Sequence, residues 1–248
     1  MLTERHAGVV VTTQVVDVGD EEAVDSGFDA AVRAHGQVDA VFANAAVGGG
    51  GDPFSMPTEV WRNSLRVNLD GVFFIFRATL ALSFYWTSAQ LSHGRLAGKA
   101  GGYLKERGEG GSLVATGSLA GEQGVPFNLA YASAKVRSAF VCTSRASVVR
   151  LLVTPCRGQA GVENLVKSYS GALARHGVNV NLVIPGWIQR DMMQAHKNPR
   201  MDPVLKRIPS RRWGLPSDFG GIAVYLASEA SRYHTGDKFI IDGGYQNF

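Results

Sequence analysis

The chain has 248 residues, of which 45% are hydrophobic, 19% are charged and 30 are glycine. This composition excludes a disordered or collagen-like chain and is typical of a globular protein with one sizeable core. No apolar run reaches the roughly 18 residues of a transmembrane helix, so we expect no membrane partner. The charged start at Met1 to His6 lacks the apolar core of a secretory signal, and we predict a cytoplasmic protein.

The net charge of +4 comes from 25 basic and 21 acidic residues and is unevenly distributed. Residues 81–100 and 136–159 contain no acidic residue, and they hold Arg95, Lys99, Arg137, Arg145, Arg150 and Arg157. Because the excess charge is local to these two segments, we expect no nucleic acid partner. The two cysteines, Cys142 and Cys156, lack the spacing of a metal site, and we predict no metal.

Apolar patterning along the chain alternates between strands and helices. The first β-branched run, from Val9 to Asp17, predicts a buried strand, and acidic residues around Asp20 open a helix that stops near Gly36. Further strands are predicted at Val38 to Asn44, Ser112 to Ser118, Val178 to Gly186 and Lys238 to Asp242, with another helix from about Thr58. Strands separated by helices indicate an α/β fold: a Rossmann-like, doubly wound parallel sheet in a single domain covering residues 1–248.

Polar residues follow the ends of the predicted strands, where open α/β sheets bind ligands. Asn44, Ala45 and Ala46 follow one strand, and Ser118 ends the next. Tyr131 and Lys135 are four residues apart, so a helix places them on one face. An ammonium group beside a phenol stabilises the phenolate, which suits the phenol to acid–base chemistry. Taken singly, Tyr131 with Lys135 is more often a surface pair, Ser118 a strand-end cap and Asn44 a turn residue. Together they indicate a catalytic set.

These motifs resemble the short-chain dehydrogenase/reductase family. The residues that carry the resemblance are Asp17-Val18, Asn44-Ala45-Ala46, Asn68, Ser118, Tyr131 with Lys135, Pro185-Gly186, Arg212 to Asp218, Thr235 to Asp237, and Asp242 to Tyr245. The resemblance implies an NAD(P)-dependent oxidoreductase that interconverts a secondary alcohol and a ketone. It also implies a small-molecule alcohol or ketone as substrate, and a homodimer or homotetramer.

The resemblance further assigns roles to single residues. Tyr131 is the general acid or base, Lys135 assists it and binds the nicotinamide ribose, Ser118 hydrogen-bonds the reacting oxygen, and Asn68 links Lys135 to solvent. The residues implied to contact NAD or NADP are Asp17, Val18, Asn44, Ala45, Ala46, Tyr131, Lys135, Pro185, Gly186 and Ile188. Residues 187–212 are expected to form a loop over the substrate.

Three departures from the family pattern keep an alternative open. No glycine-rich phosphate turn precedes Asp17, so we expect a sheet that lacks the first β-α-β unit. The segments at about 81–100 and 136–159 are atypical insertions or translated introns. Arg190 occupies a position where the family often has Thr. The alternative interpretation is therefore a non-catalytic pseudo-enzyme, or the product of a wrongly assembled gene, that cannot bind the dinucleotide.

Overall fold

A computed structural model describes residues 9–48, 51–52, 54–80, 104, 108–123, 128–135, 161–189 and 202–247. Within these ranges the chain forms a four-stranded parallel sheet with the strand order β1-β2-β3-β4. The strands are β1 (Ala40–Ala43), β2 (Gly111–Thr116), β3 (Val178–Pro185) and β4 (Lys238–Ile241). The two segments interpreted as insertions, at 81–100 and 136–159, lie outside the described residues.

Seven α-helices are described within these ranges. They are α1 (Glu21–His35), α2 (Thr58–Leu65), α3 (Gly71–Leu80), α4 (Leu129–Lys135), α5 (Gly161–Leu173), α6 (Asp202–Arg207) and α7 (Gly220–Leu226). A π-helical segment, Arg66–Asp70, joins α2 to α3. The predicted start and end of α1 are confirmed: an Asp20 carboxylate oxygen accepts from the amide of Ala23 at 3.0 Å, and Gly36 ends the helix with a φ of 78°.

The sheet is covered on both faces. Alternate residues of a strand point to opposite faces, and here they enter different clusters. Leu113 of β2 packs into a cluster with Phe76 of α3 and Val166 of α5. Its neighbour Val114 packs against Leu226 of α7 on the other side. The predicted Rossmann-like, doubly wound arrangement is therefore confirmed.

The predicted strand from Val9 to Asp17 is wrong. The segment is extended but pairs with no described strand, and the exposed fractions of Val10 and Val15 are 73% and 104%. It lies along α1, where the side-chain amide of Gln14 donates to the Gly27 carbonyl at 2.7 Å. A β-branched run favours extended backbone, but a strand also needs a neighbour to accept its hydrogen bonds. In the described residues the sheet ends at β1.

Candidate active site

The predicted site residues gather at the carboxyl edge of the parallel sheet. Asn44 follows β1, Ser118 lies two residues beyond β2, and Gly186 follows β3. The Thr116 hydroxyl, at the end of β2, donates to the Asn44 side-chain oxygen at 2.9 Å. Because parallel strands end at one edge, this bond joins the predicted Asn44 to the end of the neighbouring strand. Ala45 and Ala46 continue from Asn44 as exposed loop residues.

Lys135 is the buried charge of the site. Its Nζ donates to the Thr116 carbonyl at 2.8 Å, and only 6% of the residue is exposed. Burial lowers the pKa of Lys135 from 10.5 to about 8, because the charged form loses its hydration. Tyr131 stands one turn earlier on α4 and is half-buried. The structure therefore confirms that both residues lie on one helix, and it places that helix against the end of β2.

Ser118 begins a single 3₁₀ turn formed by Leu119–Gly121. Its Oγ accepts from the Ala120 amide at 3.2 Å, so the hydroxyl hydrogen is available to another acceptor. Helix α4, which carries Tyr131 and Lys135, packs against this turn. The structure thus brings the helix and the strand end that carry the predicted catalytic set into contact.

Asn68 lies in the π-helical segment and is fully buried. Its side-chain oxygen accepts from the Val47 amide at 3.1 Å, and its Nδ2 donates to the Val47 carbonyl at 2.9 Å and to Ser64 Oγ at 3.1 Å. The side chain therefore ties the loop after β1 to the segment that packs against α4. π-Helical turns are frequent at functional sites.

Asp17 and Val18 lie beside the π-helical segment. The Asp17 carboxylate accepts from the Gly19 amide at 2.9 Å and from Nη1 of Arg66 at 2.9 Å. The Gly19 amide, and secondarily the Arg66 guanidinium, lower the pKa of Asp17. The Val18 carbonyl lies so close to Gly71 that a Cβ there would be 3.0 Å away. Among the described contacts, none joins Asp17 to Tyr131 or Lys135.

The chain after β3 approaches the C-terminal turn. The Gly186 amide donates to the Ile241 carbonyl at 2.9 Å, and a Cβ on Gly186 would lie 2.5 Å from Cα of Asp242. Glycine is therefore required beside Pro185 for this close approach. Ile188 forms a bridge with Gly214, which brings the two ends of the expected substrate loop together. Arg190 and residues 191–201 of that loop lie outside the described residues.

One contributor to the site escaped the sequence analysis. Thr116 holds Lys135 with its carbonyl and Asn44 with its hydroxyl. A backbone carbonyl has no sequence signature. The only sequence signal for Thr116 was its place at a strand end, just before Gly117 and Ser118.

Within the described ranges, no group of three or more His, Cys, Asp or Glu residues could hold a metal ion, and no helix has the length and hydropathy of a membrane span. A groove of about 820 Å³ lies at the opposite edge of the sheet, where Gly111 begins β2 and Gly177 directly precedes β3. It is therefore separate from the site built by Tyr131 and Lys135.

The polar groups at the carboxyl edge fit a ribose. An ammonium has three hydrogens to donate, and among the described residues Lys135 donates to one acceptor, the Thr116 carbonyl. A vicinal diol offers acceptors for the rest. Asp17, which the resemblance places against another part of NAD or NADP, is exposed but already forms an ion pair with Arg66. The residues present thus fit the sugar beside the reacting atoms.

Comparisons with known proteins agree with this fold. The model of the protein family described as Enoyl-(Acyl carrier protein) reductase matches residues 2–89 and 156–246. L-rhamnose 1-dehydrogenase (NAD(P)(+)) of Azotobacter vinelandii is 28% identical over 233 residues, which cover 92% of this chain and 72% of that protein. The NADP-dependent (R)-specific alcohol dehydrogenase of Lentilactobacillus kefiri is 29% identical over 258 residues, which cover 99% and 85%.

A solved structure resembles the chain at similar coverage. The short-chain type dehydrogenase/reductase from Mycobacterium marinum superimposes with a TM-score of 0.71 and 25% identity, covering 96% of this chain and 76% of that one. The sequence-model match skips residues 90–155, which include Ser118, Tyr131 and Lys135. The assignment of those three residues therefore depends on the motif and on the geometry described above.

Proposed function

This chain belongs to the short-chain dehydrogenase/reductase family, and from that premise we propose that it is an NAD(P)-dependent oxidoreductase that interconverts a secondary alcohol and a ketone. The observation that carries the proposal is the buried Lys135 ammonium, bonded to the end of β2 and one helical turn from Tyr131. No described acidic residue pairs with Lys135, and a buried lysine in such surroundings costs stability, so its presence at a strand end supports a functional use.

Tyr131 is the proton-transferring group in this proposal. In ketone reduction its phenol donates a proton to the developing alkoxide, and in alcohol oxidation the phenolate accepts one. Lys135 lies on the same helix and, in this proposal, assists the proton transfer of Tyr131. Ser118 donates its hydroxyl hydrogen to the reacting oxygen, which positions the substrate and stabilises developing negative charge.

Asn68 has a supporting part in the proposed site. Its amide holds the loop after β1 through Val47, and the segment that carries it packs against α4. We propose that this arrangement keeps the buried end of α4 in place and leaves a polar path from Lys135 toward solvent.

The residues that would hold the dinucleotide are those at the carboxyl edge. Lys135 and Tyr131 would bind the nicotinamide ribose, with Asn44, Ala45 and Ala46 after β1 and Pro185, Gly186 and Ile188 after β3 beside it. Asp17 and Val18 are proposed for the adenine end. When bound, the dinucleotide supplies or accepts the hydride. The two relatives carry NAD(P)(+) and NADP in their names, so both forms belong in the test.

The substrate class is proposed from the same relatives. One is named for L-rhamnose and the other for (R)-specific alcohol oxidation, and both reactions interconvert a hydroxyl and a carbonyl group. Trp187, which packs edge-on against Trp213, lies directly beyond Gly186 and supplies an apolar wall. On the family resemblance we also propose that the protein is cytoplasmic and forms a homodimer or homotetramer. Sedimentation of the purified protein tests the oligomeric state.

A second candidate is a pseudo-enzyme that does not bind the dinucleotide. The observation that favours it is the Arg66 ion pair, since an Asp17 carboxylate held by a guanidinium is a poorer partner for adenine. In that case the site would keep its fold and the buried Lys135 without turnover.

Titration with NADH and NADPH separates the two candidates. We expect either dinucleotide to quench the tryptophan fluorescence at micromolar concentrations, because Trp187 directly follows Gly186 of the proposed site and Trp213 packs against Trp187. Tyr131→Phe should keep the quenching and lose turnover by at least about 100-fold, the usual size of a general-acid contribution. Tyr233→Phe, a fully exposed tyrosine, is the matched control. Absence of quenching at high micromolar concentrations would favour the pseudo-enzyme.

A further inference from the structure

Glu122 is a buried carboxylate that the proposed chemistry does not use. Its side chain is 7% exposed, and Nζ of Lys238 donates to both of its oxygens, at 2.9 and 2.8 Å. Nε2 of Gln246 reaches one of the same oxygens at 3.4 Å. Burying a charge is costly unless it is paired and hydrogen-bonded, so this arrangement needs a reason.

Both partners of Glu122 come from the end of the chain. Lys238 is the first residue of β4, and Gln246 lies in the 3₁₀ turn Tyr245–Asn247. Asp242 fixes that turn, because its carboxylate oxygens accept from the amides of Gly244 and Gln246, each at 2.8 Å. The carboxylate of Glu122 is therefore held by two segments that are themselves fixed.

Glu122 also ends the short turn that Ser118 begins. Its amide donates to the Leu119 carbonyl at 2.9 Å, and Ala120, between the two ends, donates its amide to Ser118 Oγ at 3.2 Å. At the other end, the Gly117 amide donates to the Val183 carbonyl at 2.7 Å. Because the turn is so short, its position is fixed where it leaves β2 and where Glu122 is held.

We propose that Glu122 is a positioning residue for Ser118. Its carboxylate, held by Lys238 and Gln246, fixes the 3₁₀ turn so that the Ala120 amide orients the Ser118 hydroxyl toward the reacting oxygen. The C-terminal turn thereby contributes to the site without touching the substrate. This inference rests on the proposed role of Ser118 in catalysis.

A double-mutant cycle tests whether Glu122 acts through Ser118. Glu122→Gln keeps the side-chain volume and should lower kcat about tenfold, because small displacements of a reacting group are costly. The KM for the dinucleotide should stay unchanged, since Lys135 and Asn44 are untouched. In a Ser118→Ala background, Glu122→Gln should lower kcat no further. If the double variant instead lost kcat by the product of the two single-variant factors, the proposal would be overturned. Glu229→Gln, which breaks an exposed ion pair with Arg232, is the control.

Hydrogen exchange gives a readout that needs no turnover. In Glu122→Gln the amides of Ala120 and Gly121 should exchange about tenfold faster, while those of α1 stay unchanged; equal exchange in both proteins would overturn the proposal. A wild-type protein without turnover would refute the proposed function, and this measurement would still decide whether Glu122 holds the turn. If Glu122→Gln does not fold, Gln246→Ala replaces it in both experiments, with the same direction expected and the same result overturning the proposal.

Discussion

Lys135 shows how one residue can oppose folding and still be kept. Its ammonium is buried at the end of β2, where a protein carbonyl replaces part of its hydration. Met would fill the same space without a charge, so stability alone does not explain a lysine at this position. The buried charge is explained if it holds a ribose and assists proton transfer at Tyr131, as proposed.

The pKa of Lys135 leads to a pH-dependent prediction for stability. Below about pH 8 the side chain is protonated in both states, and the burial cost is present in full. Between about pH 8 and 10.5 the unfolded chain binds more protons than the folded one, so the free energy of unfolding rises with pH. The free energy of unfolding rises by on the order of 3 kcal/mol in total, because each pH unit between the folded and unfolded pKa values of Lys135 contributes about 1.4 kcal/mol.

Urea unfolding of the wild type and of Lys135→Met measures this gain. The difference between their free energies of unfolding should shift in favour of the wild type as the pH rises from 7.5 toward 10. Lys206→Met, at an exposed position on α6, should show a constant difference from the wild type. A constant difference for Lys135→Met would contradict the burial argument.

Asn68 is predicted to matter for folding as well as for the site. Asn68→Ala removes three hydrogen bonds and leaves the buried Ser64 hydroxyl and the Val47 amide without this partner. We expect the free energy of unfolding to fall by about 2 to 3 kcal/mol. Asn63→Ala, at an exposed position in α2, should change it by less than about 0.5 kcal/mol. Equal losses in urea unfolding would show that burial of Asn68 is not the cause.

At the scale of elements, α1 is the helix whose limits follow most directly from local chemistry. Asp20 accepts the Ala23 amide, and Gly36 adopts a positive φ that other residues disfavour. Asp20→Ala should lower the free energy of unfolding by about 1 kcal/mol, while Asp20→Asn should preserve it within about half that value. Thermal or urea unfolding checks this, and equal loss in both variants would argue against the cap.

The helix around Asn68 shows the opposite case. Sequence spacing predicts one continuous helix from Thr58, but the chain forms α2, a π-helical turn and α3. The π turn carries Asn68 and lies against α4. Nothing in the local sequence requires it, because the buried bonds of Asn68 to Val47 form only once the loop after β1 is in place.

In the molecule as a whole, the extended segment from Val9 to Val16 is the part that we expect to promote aggregation. It is β-branched and uncharged, and Val10 and Val15 are exposed by 73% and 104%. Such segments pair readily with other chains. We therefore predict that the chain expressed alone is prone to aggregation, and that the double substitution Val10→Lys and Val15→Lys reduces it.

Light scattering at matched concentration measures this aggregation. Phe54→Lys is the matched control, because Phe54 is 97% exposed in a different part of the chain. The double lysine variant should scatter less than the wild type, and Phe54→Lys should scatter like it. A monodisperse wild type with cooperative unfolding would contradict the prediction.

Features that depend only on neighbours along the chain can be predicted from the amino-acid sequence. The alternation of strands and helices, the ends of α1 and the placement of Tyr131 and Lys135 on one helix follow from periodicity, caps and fixed helical spacing. Those interactions form within a few residues, so a local pattern contains the information.

Features that depend on partners distant in the sequence arise only when the chain folds. Val9 to Asp17 has the composition of a strand, yet pairing needs a neighbour that the pattern does not supply. Asp17 meets Arg66, Lys135 meets Thr116, and Glu122 meets Lys238 only when the sheet and its helices assemble. Hydrogen bonds and ion pairs act over a few ångströms in space, whatever the separation in sequence, so the folded chain selects these partners.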